Sequence, residues 1–284
     1  EPDVIPIANA VNLPTPFQVG DVRLELNTYP EMPKVGEPSL VIVKLTNPKT
    51  GKVLTGSDLK MAHTKLMHLI VVSEDGSFYR HIHPGDAAEG LFSFNVNFPA
   101  TGKYRVFDEI VLKNGQKILY RHDLTIGTGE ESPNSAAPAL VPGGGLEQLF
   151  GELKATLEMP QAVKAGETTE LKFKFEKDGK PFAELEPYLE EASHMIVLSQ
   201  DSNSFKHIHG QVPGAAPMQE EAPAESMGWE QPQEEAMAPV APGQKYGPEI
   251  GYKLKFEQAG TYKIWAEFQY QGKVLIFSYI LTVS

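Results

Sequence analysis

Cysteine is absent from this chain of 284 residues. Its absence excludes disulfide bonds, thiolate metal sites and a cysteine nucleophile. Long apolar runs are absent as well, since none approaches the roughly 20 residues that span a bilayer. The first residues, "EPDVIPIANA", lack the basic and apolar regions of a signal peptide. We therefore expect no transmembrane segment in this chain and, if the protein is exported, a mature form.

Positive charge is in short supply. Lysine and arginine number 25 against 37 aspartates and glutamates, which gives a formal net charge of -12 and a pI near 5.2. A field of this sign repels phosphate groups, so the charge argues against nucleic acid and anionic membrane surfaces as partners. Cations are the partners that the charge favours.

Recognisable catalytic patterns are missing too. The chain shows no Ser-His-Asp order, no phosphate-binding loop and no paired carboxylates at a catalytic spacing. Adjacent acids such as Asp108 and Glu109 would face opposite sides of a strand. The sequence therefore predicts a protein that is not an enzyme, and a metalloenzyme is only a lesser alternative.

What the chain does contain is one histidine pattern written twice. The segments "HLIVVSEDGSFYRHIH" and "HMIVLSQDSNSFKHIH" both follow the spacing H-x12-H-x-H, and they hold six of the eight histidines. Histidine is the commonest metal-ligating side chain. The copies differ at many intervening positions yet agree at every histidine. The pattern therefore predicts a metal site in each half, with the ligands His68, His81 and His83 in the first and His194, His207 and His209 in the second.

The similarity of the halves extends well beyond the histidines. The segment "PKVGEPSLVIVKLTNPKTGKVL" aligns with "VKAGETTELKFKFEKDGKPF", and "FPATGKYRVFDEI" aligns with "FEQAGTYKIWAEF". Such a match indicates an internal duplication. We predict an extended N-terminal arm over residues 1–17, domain 1 over 18–127, a linker rich in Gly, Pro, Ser and Ala over 128–147, and domain 2 over 148–284. A proline-, alanine- and glutamate-rich insertion at 211–247 within domain 2 is expected to be disordered.

Both domains have the sequence pattern of an all-β fold. Apolar residues alternate with polar ones in "LVIVKL", "LKFKF", "FSFNVNF" and "YKLKF", and turn residues recur about every ten positions. Tyr104 and Tyr262 occupy the position of a tyrosine corner at the start of strand F in an immunoglobulin-like sandwich. The sequence therefore predicts two tandem immunoglobulin-like β-sandwich domains.

The histidine segments read as β-hairpins whose apolar strands flank a polar turn. If the first turn centres between Glu74 and Asp75, His68 lies opposite His81, and the same spacing sets His194 opposite His207. Opposed residues have Cβ atoms about 5 Å apart, and a residue two positions along the strand lies on the same face. Three imidazoles then converge on one ion at the rim of each sandwich.

Strand F adds a carboxylate to the predicted site of domain 1. With Tyr104 and Val106 facing inward, Asp108 is expected to point toward the histidines, whereas its counterpart in domain 2 is Ala266. The two sites are therefore expected to differ, with three nitrogens and an oxygen in domain 1 and only three nitrogens in domain 2. Glu109 and Glu267 are expected to face outward and rank lower as ligands.

Neutral imidazoles suit Cu(II), Zn(II) and Ni(II), and the order of metal affinities favours copper, with zinc as the alternative. Methionine thioethers would add ligands for Cu(I). The candidates are Met61 and Met67 in domain 1 and Met195, Met218, Met227 and Met237 in domain 2. For the methionines within the insertion, a role as ordinary residues of a disordered tract is an equal alternative.

The segments "MHLIVVSEDGSFYRHIHP", "GKYRVFDEI" and "GTYKIWAEFQYQGKV" resemble exported bacterial proteins with YtkA-like or FixH-like immunoglobulin-like modules. That resemblance implies handling of copper or another heavy metal, and another exported metal-handling protein as a partner. It also implies an extracytoplasmic location, whether periplasmic, secreted or lipid-anchored. Domain 2 departs from the pattern, because "HIHG" replaces "HIHP" and the long insertion follows.

A different class of function remains open at this point. The histidines could be structural, bonding one another, backbone carbonyls or carboxylates at the end of a structural or adhesive module. The remaining histidines, His63 and His122, have no histidine counterpart in the other half. We expect these two to be solvent-exposed or locally hydrogen-bonded.

Overall fold

The computed structural model describes residues 22–86, 90–127, 145–212 and 243–284. The predicted arm, most of the linker and most of the insertion lie outside these ranges. The chain divides into two compact units, Glu1–Pro138 and Ala139–Ser284. Within the described ranges, no helix is both long enough and apolar enough to cross a membrane.

The first unit is a sandwich of two antiparallel sheets. One sheet has the order β1-β2-β8-β7 with β3 beside β2, and the other has the order β10-β9-β5-β6 with β4 beside β9. A 3₁₀ turn lies at Gly56–Asp58. The strands are β1 (Arg23–Tyr29), β2 (Pro38–Thr46), β3 (Val53–Leu54), β4 (Leu59–Lys60), β5 (Met67–Ser73), β6 (Tyr79–Ile82), β7 (Gly85–Asp86), β8 (Leu91–Asn97), β9 (Gly102–Leu112) and β10 (Lys117–Ile126).

The second unit repeats this plan. One sheet has the order β11-β12-β13-β14 with β17 beside β13, and the other has the order β16-β15-β18-β19. The strands are β11 (Glu147–Phe150), β12 (Leu153–Glu158), β13 (Thr168–Lys177), β14 (Lys180–Pro181), β15 (His194–Ser199), β16 (Phe205–His209), β17 (Glu249–Lys255), β18 (Gly260–Tyr270) and β19 (Lys273–Val283). The prediction of an all-β chain with two tandem immunoglobulin-like sandwiches is confirmed.

Strict alternation along the strands builds each core. In β2 the residues Val41, Val43 and Leu45 are fully buried, while the residues between them are partly exposed. Successive side chains of a strand point to opposite faces, so every second residue enters the space between the sheets. The aromatic residues of β13, Phe173 and Phe175, are buried at the corresponding depth in the second unit.

A tyrosine corner fixes the strand beside each histidine hairpin. The Tyr104 hydroxyl donates to the Ala100 carbonyl over 2.9 Å, and the Tyr262 hydroxyl donates to the Gln258 carbonyl over the same distance. Both rings are buried in their cores. The hydrogen bond to the carbonyl supplies the partner that a buried tyrosine hydroxyl needs. These contacts set the start of β9 and β18, the strands that pair with β5 and β15.

The predicted register of the histidine hairpins is wrong by two residues. His81 pairs with Ile70 in β5, not with His68, and His207 pairs with Ile196. In the second unit, His194 lies directly opposite His209. A shift by two leaves every side chain on the same face of the strand, so the histidines of each hairpin still share one face.

The turn chemistry explains the shifted register. The Asp75 carboxylate accepts hydrogen bonds from the Ser77 backbone N–H at 2.9 Å and from the Ser77 hydroxyl at 2.8 Å. Gly76 follows in the left-handed region with φ of 69°. This side-chain-anchored turn centres the hairpin between Asp75 and Gly76, one residue later than the sequence pattern predicts.

Candidate metal centre

The histidines lie on the outer face of their sheet. In β5 the core side chains are Met67, Leu69 and Val71, and His68 alternates with them. The pairing of His81 with Ile70 sets it on the same outer face. Each cluster is therefore built on the side of the sheet that faces away from the sandwich core.

In the first unit the three imidazoles converge at the end of the hairpin remote from its turn. His68 Nδ1 lies 3.2 Å from His81 Nε2, and His83 Nε2 lies 3.1 Å from the same atom. The ring centroids are 4.4 to 5.4 Å apart. One nitrogen from each of these histidines therefore lies within 4.8 Å of one nitrogen from each of the others.

The second unit repeats this geometry. His194 Nδ1 lies 3.0 Å from His207 Nε2, and the ring centroids of His194, His207 and His209 are 4.7 to 5.2 Å apart. The ring planes of His194 and His209 cross at 88°, against 89° for His68 and His83. The two clusters therefore match in relative ring orientation as well as in spacing.

A backbone carbonyl holds the first histidine of each cluster. His68 Nε2 lies 3.1 Å from the Ala62 carbonyl oxygen, and His194 Nε2 lies 3.0 Å from that of Tyr188. A carbonyl oxygen can only accept, so the hydrogen of each neutral ring lies on Nε2 and the lone pair lies on Nδ1. The lone pairs of His68 and His194 therefore point into their clusters, the arrangement in which a histidine binds a metal.

The spacing of the nitrogens fits a first-row transition metal. Zinc-to-imidazole bonds are about 2.0 to 2.1 Å long, so neighbouring ligand atoms of a tetrahedral site are about 3.3 Å apart. His81 Nε2 lies 3.2 Å from His68 Nδ1 and 3.1 Å from His83 Nε2, distances close to that separation. A three-nitrogen cluster of this size can hold one ion and leave a coordination position for water or another ligand.

The predicted orientation of Asp108 toward the histidines is wrong. Asp108 pairs with Leu69, and directly paired residues project from the same face, which here is the core face. Its carboxyl is fully buried, and neither oxygen has a hydrogen-bond partner. Burial, with a smaller contribution from the negative charge of Glu109, raises the pKa of Asp108 well above its ordinary value. The alternation of the strand therefore sets it on the side away from the cluster.

Glu109 and Glu267 face outward as predicted, and the outer face is the histidine face. Glu109 pairs with His68, and Glu267 pairs with His194. The described histidine clusters nevertheless contain three histidines each and neither of these glutamates. Asp108 is therefore not a fourth ligand of the first site. In the second unit, a carboxylate oxygen of Glu191 lies within 4.8 Å of a His209 ring nitrogen, where the equivalent residue of the first unit is Lys65.

The methionines nearest the histidines in sequence do not supply thioether ligands. Met67 and Met195 are fully buried and belong to the cores of their sandwiches, on the face opposite the clusters. Met61 is exposed. The methionines of the insertion lie outside the described residues. The described methionines therefore contribute no thioether to either cluster.

His63 lies closer to the first cluster than the sequence suggests. Its ring centroid is 6.0 Å from that of His68, with the ring planes crossing at 72°. Its counterpart in the second unit is Leu189, so the repeat comparison carried no signal for it. His122 lies on β10 opposite Val106, and burial lowers its pKa to about 4. His122 is therefore a neutral side chain near the core and not part of a cluster.

The change from "HIHP" to "HIHG" has a structural reason. The Gly210 N–H donates to the Ser193 carbonyl over 2.8 Å, a bond that the proline at the equivalent position cannot make. A Cβ atom at Gly210 would lie 2.5 Å from Ile250 Cγ2. The departure therefore accommodates close backbone packing and leaves the ligands unchanged.

Comparison with known proteins gives a match to one family. A family profile described as "Domain of unknown function (DUF8832)" matches residues 18–127 and 148–284. No curated protein matches the chain.

Several solved structures share low similarity with this chain. They include the Escherichia coli adhesin FdeC (13% identity, 92% of this chain and 64% of that one, TM-score 0.27), the bacterial integrin-binding protein invasin (10%, 93% and 39%, 0.24) and the D00-D0 domain of intimin (10%, 91% and 99%, 0.22). The chain thus spans under two thirds of FdeC and of invasin. TM-scores of this size do not establish a shared function.

Proposed function

Since this chain belongs to the DUF8832 family of domains of unknown function, we propose its role from the histidine clusters themselves: a non-catalytic protein that binds one transition-metal ion in each of its two β-sandwich domains. The ligands are His68, His81 and His83 in the first domain and His194, His207 and His209 in the second. The duplicated convergence of three ring nitrogens carries the proposal.

The hydrogen count within a cluster supports a metal over a purely hydrogen-bonded arrangement. With its hydrogen on Nε2, the His68 ring can only accept at Nδ1, so His81 Nε2 must supply the hydrogen for that contact. The same His81 nitrogen also lies 3.1 Å from His83 Nε2. One hydrogen cannot serve both contacts at full strength, whereas one cation can accept a lone pair from each ring.

Copper is the first choice for the metal and zinc is the alternative. Imidazole ligands suit both ions, and the general order of affinities places Cu(II) above Zn(II). The net charge of -12 favours cation capture over long distances. Because Met67 and Met195 face the cores, the proposal rests on imidazole nitrogens and draws no support from thioethers.

An extracytoplasmic location and an exported metal-handling partner form part of this proposal. Their support is the resemblance of the histidine and tyrosine-corner segments to YtkA-like and FixH-like modules. A protein of this kind would buffer a metal, deliver it, or present it to a sensor. The metal ion itself is the partner that the two histidine clusters are proposed to bind.

A structural or adhesive module is the second candidate. It is favoured by the imidazole contacts of 3.0 to 3.2 Å, which lie within hydrogen-bond range without any ion. It also agrees with the immunoglobulin-like fold of the two sandwiches. In this alternative the histidines only rigidify the ends of the hairpins.

The stoichiometry of metal binding separates the two candidates. Chelator-stripped protein is dialysed against Cu(II) or Zn(II) and analysed for bound metal. We expect two ions per wild-type chain, one in each of the His81→Ala and His207→Ala variants, and none in the double variant. His63→Leu, which copies Leu189 of the second domain, serves as a matched control and should keep two ions.

An unchanged stoichiometry in the double variant would exclude the clusters as the binding sites. The structural candidate makes a distinct prediction for the same variants. Their melting temperatures should fall even in chelator, and added metal should not raise the melting temperature of the wild type.

A further inference from the structure

The segment before each histidine hairpin forms the same turn in both domains without sharing its sequence. The Ala62 and Lys65 backbones exchange two hydrogen bonds of 2.8 and 2.9 Å. The Tyr188 and Glu191 backbones do the same at 2.9 and 3.1 Å. The residues read "AHTK" in the first domain and "YLEE" in the second. The turn geometry has therefore been kept where none of the side chains has.

The two central residues of each turn lie in the left-handed region. The φ angles are 47° and 66° for His63 and Thr64, and 53° and 67° for Leu189 and Glu190. Positive φ at both central positions is the pattern of a type I′ turn, which favours glycine and asparagine. Neither turn contains either residue, so both keep an unfavourable backbone conformation that their sequences do not select.

The turn aims a carbonyl at the first histidine of the cluster. The Ala62 carbonyl accepts from the Lys65 N–H within the turn and from His68 Nε2, and a carbonyl oxygen has two lone pairs for these two donors. The Tyr188 carbonyl accepts from the Glu191 N–H and from His194 Nε2 in the same way. In both domains the other ring nitrogen, Nδ1, faces the cluster.

We infer that these two turns are positioning elements that fix His68 and His194 with Nδ1 toward the metal before any metal arrives. The inference rests on the proposed function, and it specifies the donor set. Nδ1 of the first histidine acts with Nε2 of the second in each site, and in the first domain with Nε2 of His83 as well. A carbonyl held in this way selects one tautomer and one ring orientation, which is how outer hydrogen-bond partners tune a metal site.

Nitrogen-15 NMR of the imidazoles tests the inference on the whole protein. In zinc-loaded wild type, the metal should shift Nδ1 of His68 and His194 and Nε2 of His81 and His207. In the metal-free protein, the Nε2–H protons of His68 and His194 should be directly observable, because their hydrogen bonds protect them from exchange with water. Zinc bound at Nε2 of His68 or His194 would overturn the inference.

Turn variants supply a second readout. Proline at Thr64 or Glu190 fixes φ near -65° and cannot adopt the left-handed conformation, whereas glycine at the same position can. Thr64→Pro should lower the zinc affinity of the first site about 10- to 100-fold, and Thr64→Gly should preserve it. At the second site, Glu190→Pro should lower the zinc affinity by a similar factor, and Glu190→Gly should preserve it.

The unaltered domain of each variant serves as an internal reference for zinc binding, and thermal denaturation of the metal-free variant checks that the altered domain is folded. Equal affinity of the proline and glycine variants would contradict a positioning role. Different results would contradict the proposed function and the inference about the turns. If wild type binds no zinc or copper, the protected Nε2–H protons in the metal-free protein, and their loss in the proline variants, still decide whether the turns position the rings.

Discussion

Asp108 and Ala266 occupy equivalent positions in the two sandwiches, but only Asp108 carries a polar group into the core. The Asp108 carboxyl is fully buried without a hydrogen-bond partner, and Ala266 is buried without a polar side chain. A buried polar group that lacks a partner costs about 1 to 3 kcal/mol. Asp108, which the sequence pattern predicts as a metal ligand, therefore destabilises the core of the first domain.

Exchange of the two residues should move stability in opposite directions. We expect Asp108→Ala to raise the free energy of unfolding of the first domain by about 1 kcal/mol, because the desolvation cost of the carboxyl disappears. The matched variant Ala266→Asp should lower that of the second domain by about 2 kcal/mol or more. Chemical denaturation measures both. A loss of metal from Asp108→Ala would contradict the position of Asp108 on the core face.

The raised pKa of Asp108 also predicts a pH dependence. In the unfolded chain this carboxyl ionises near pH 4, whereas in the folded protein it stays protonated to higher pH. Between these two pKa values the folded state holds more protons, so this group makes stability fall as pH rises above about 4. His122, with its pKa lowered to about 4, acts in the opposite direction between about pH 4 and 6.5.

Subtraction of a matched variant isolates the Asp108 contribution. Denaturation of wild type and Asp108→Asn across pH 4 to 8 should give a difference in unfolding free energy that declines with pH, since His122 contributes equally to both proteins. A difference that is independent of pH would show that Asp108 ionises normally in the folded protein.

At the scale of elements, the histidine hairpin shows which features the sequence pattern predicts and which it does not. Alternation predicts which side chains share a face, and His68, His81 and His83 do share one. Alternation cannot fix register, because a shift of two residues preserves every face. The register depends on the Asp75 turn, whose geometry comes from side-chain hydrogen bonds that apolar patterning does not encode.

The alternation of residues in β5 also could not predict whether the histidines face the core or the outer side of the sheet. Both faces of β5 are apolar, since Leu69 and Val71 alternate with Ile70 and Val72, so hydrophobicity does not identify the core side. The tyrosine corner correctly identifies Tyr104 and Val106 as core residues. The unknown was the pairing of β5 with β9, which aligns Asp108 with Leu69 and so separates it from the histidines.

The hairpin turns should contribute to stability in both domains. Asp75→Ala removes the acceptor of the Ser77 hydrogen bonds and should cost about 1 kcal/mol. Asp201→Ala should cost a similar amount, because Asp201 accepts from the Asn203 backbone and from the Ser199 hydroxyl. Asp75→Asn keeps a carbonyl acceptor and should lose less in thermal denaturation. Equal losses for Asn and Ala would contradict this role.

At the scale of the whole molecule, the duplication has kept the site and varied its surroundings. The ring spacings, the carbonyl contact and the left-handed turn recur in both domains. The turn residues, the core residue on strand F and the segment after "HIH" have all changed. What recurs is the set of features that the proposed metal site uses, and their joint recurrence supports the proposal more than any single contact does.

The two sites should consequently bind with similar affinity. The His207→Ala variant retains the first site, and the His81→Ala variant retains the second. We expect their zinc dissociation constants, measured by competition with a chelator, to agree within about tenfold, or about 1.4 kcal/mol. A difference above about a hundredfold would contradict this expectation. It would indicate that residues around the clusters, such as His63, Ala62 or Tyr188, control the zinc affinity.

Metal binding by the two histidine clusters can be tested by anomalous diffraction from crystals of the copper-loaded protein, with data collected on both sides of the copper absorption edge. We predict two anomalous peaks per chain, each about 2 Å from one ring nitrogen of every histidine in its cluster, with Nδ1 as the donor atom in His68 and His194. Peaks only at surface carboxylates, or none at the clusters, would contradict it.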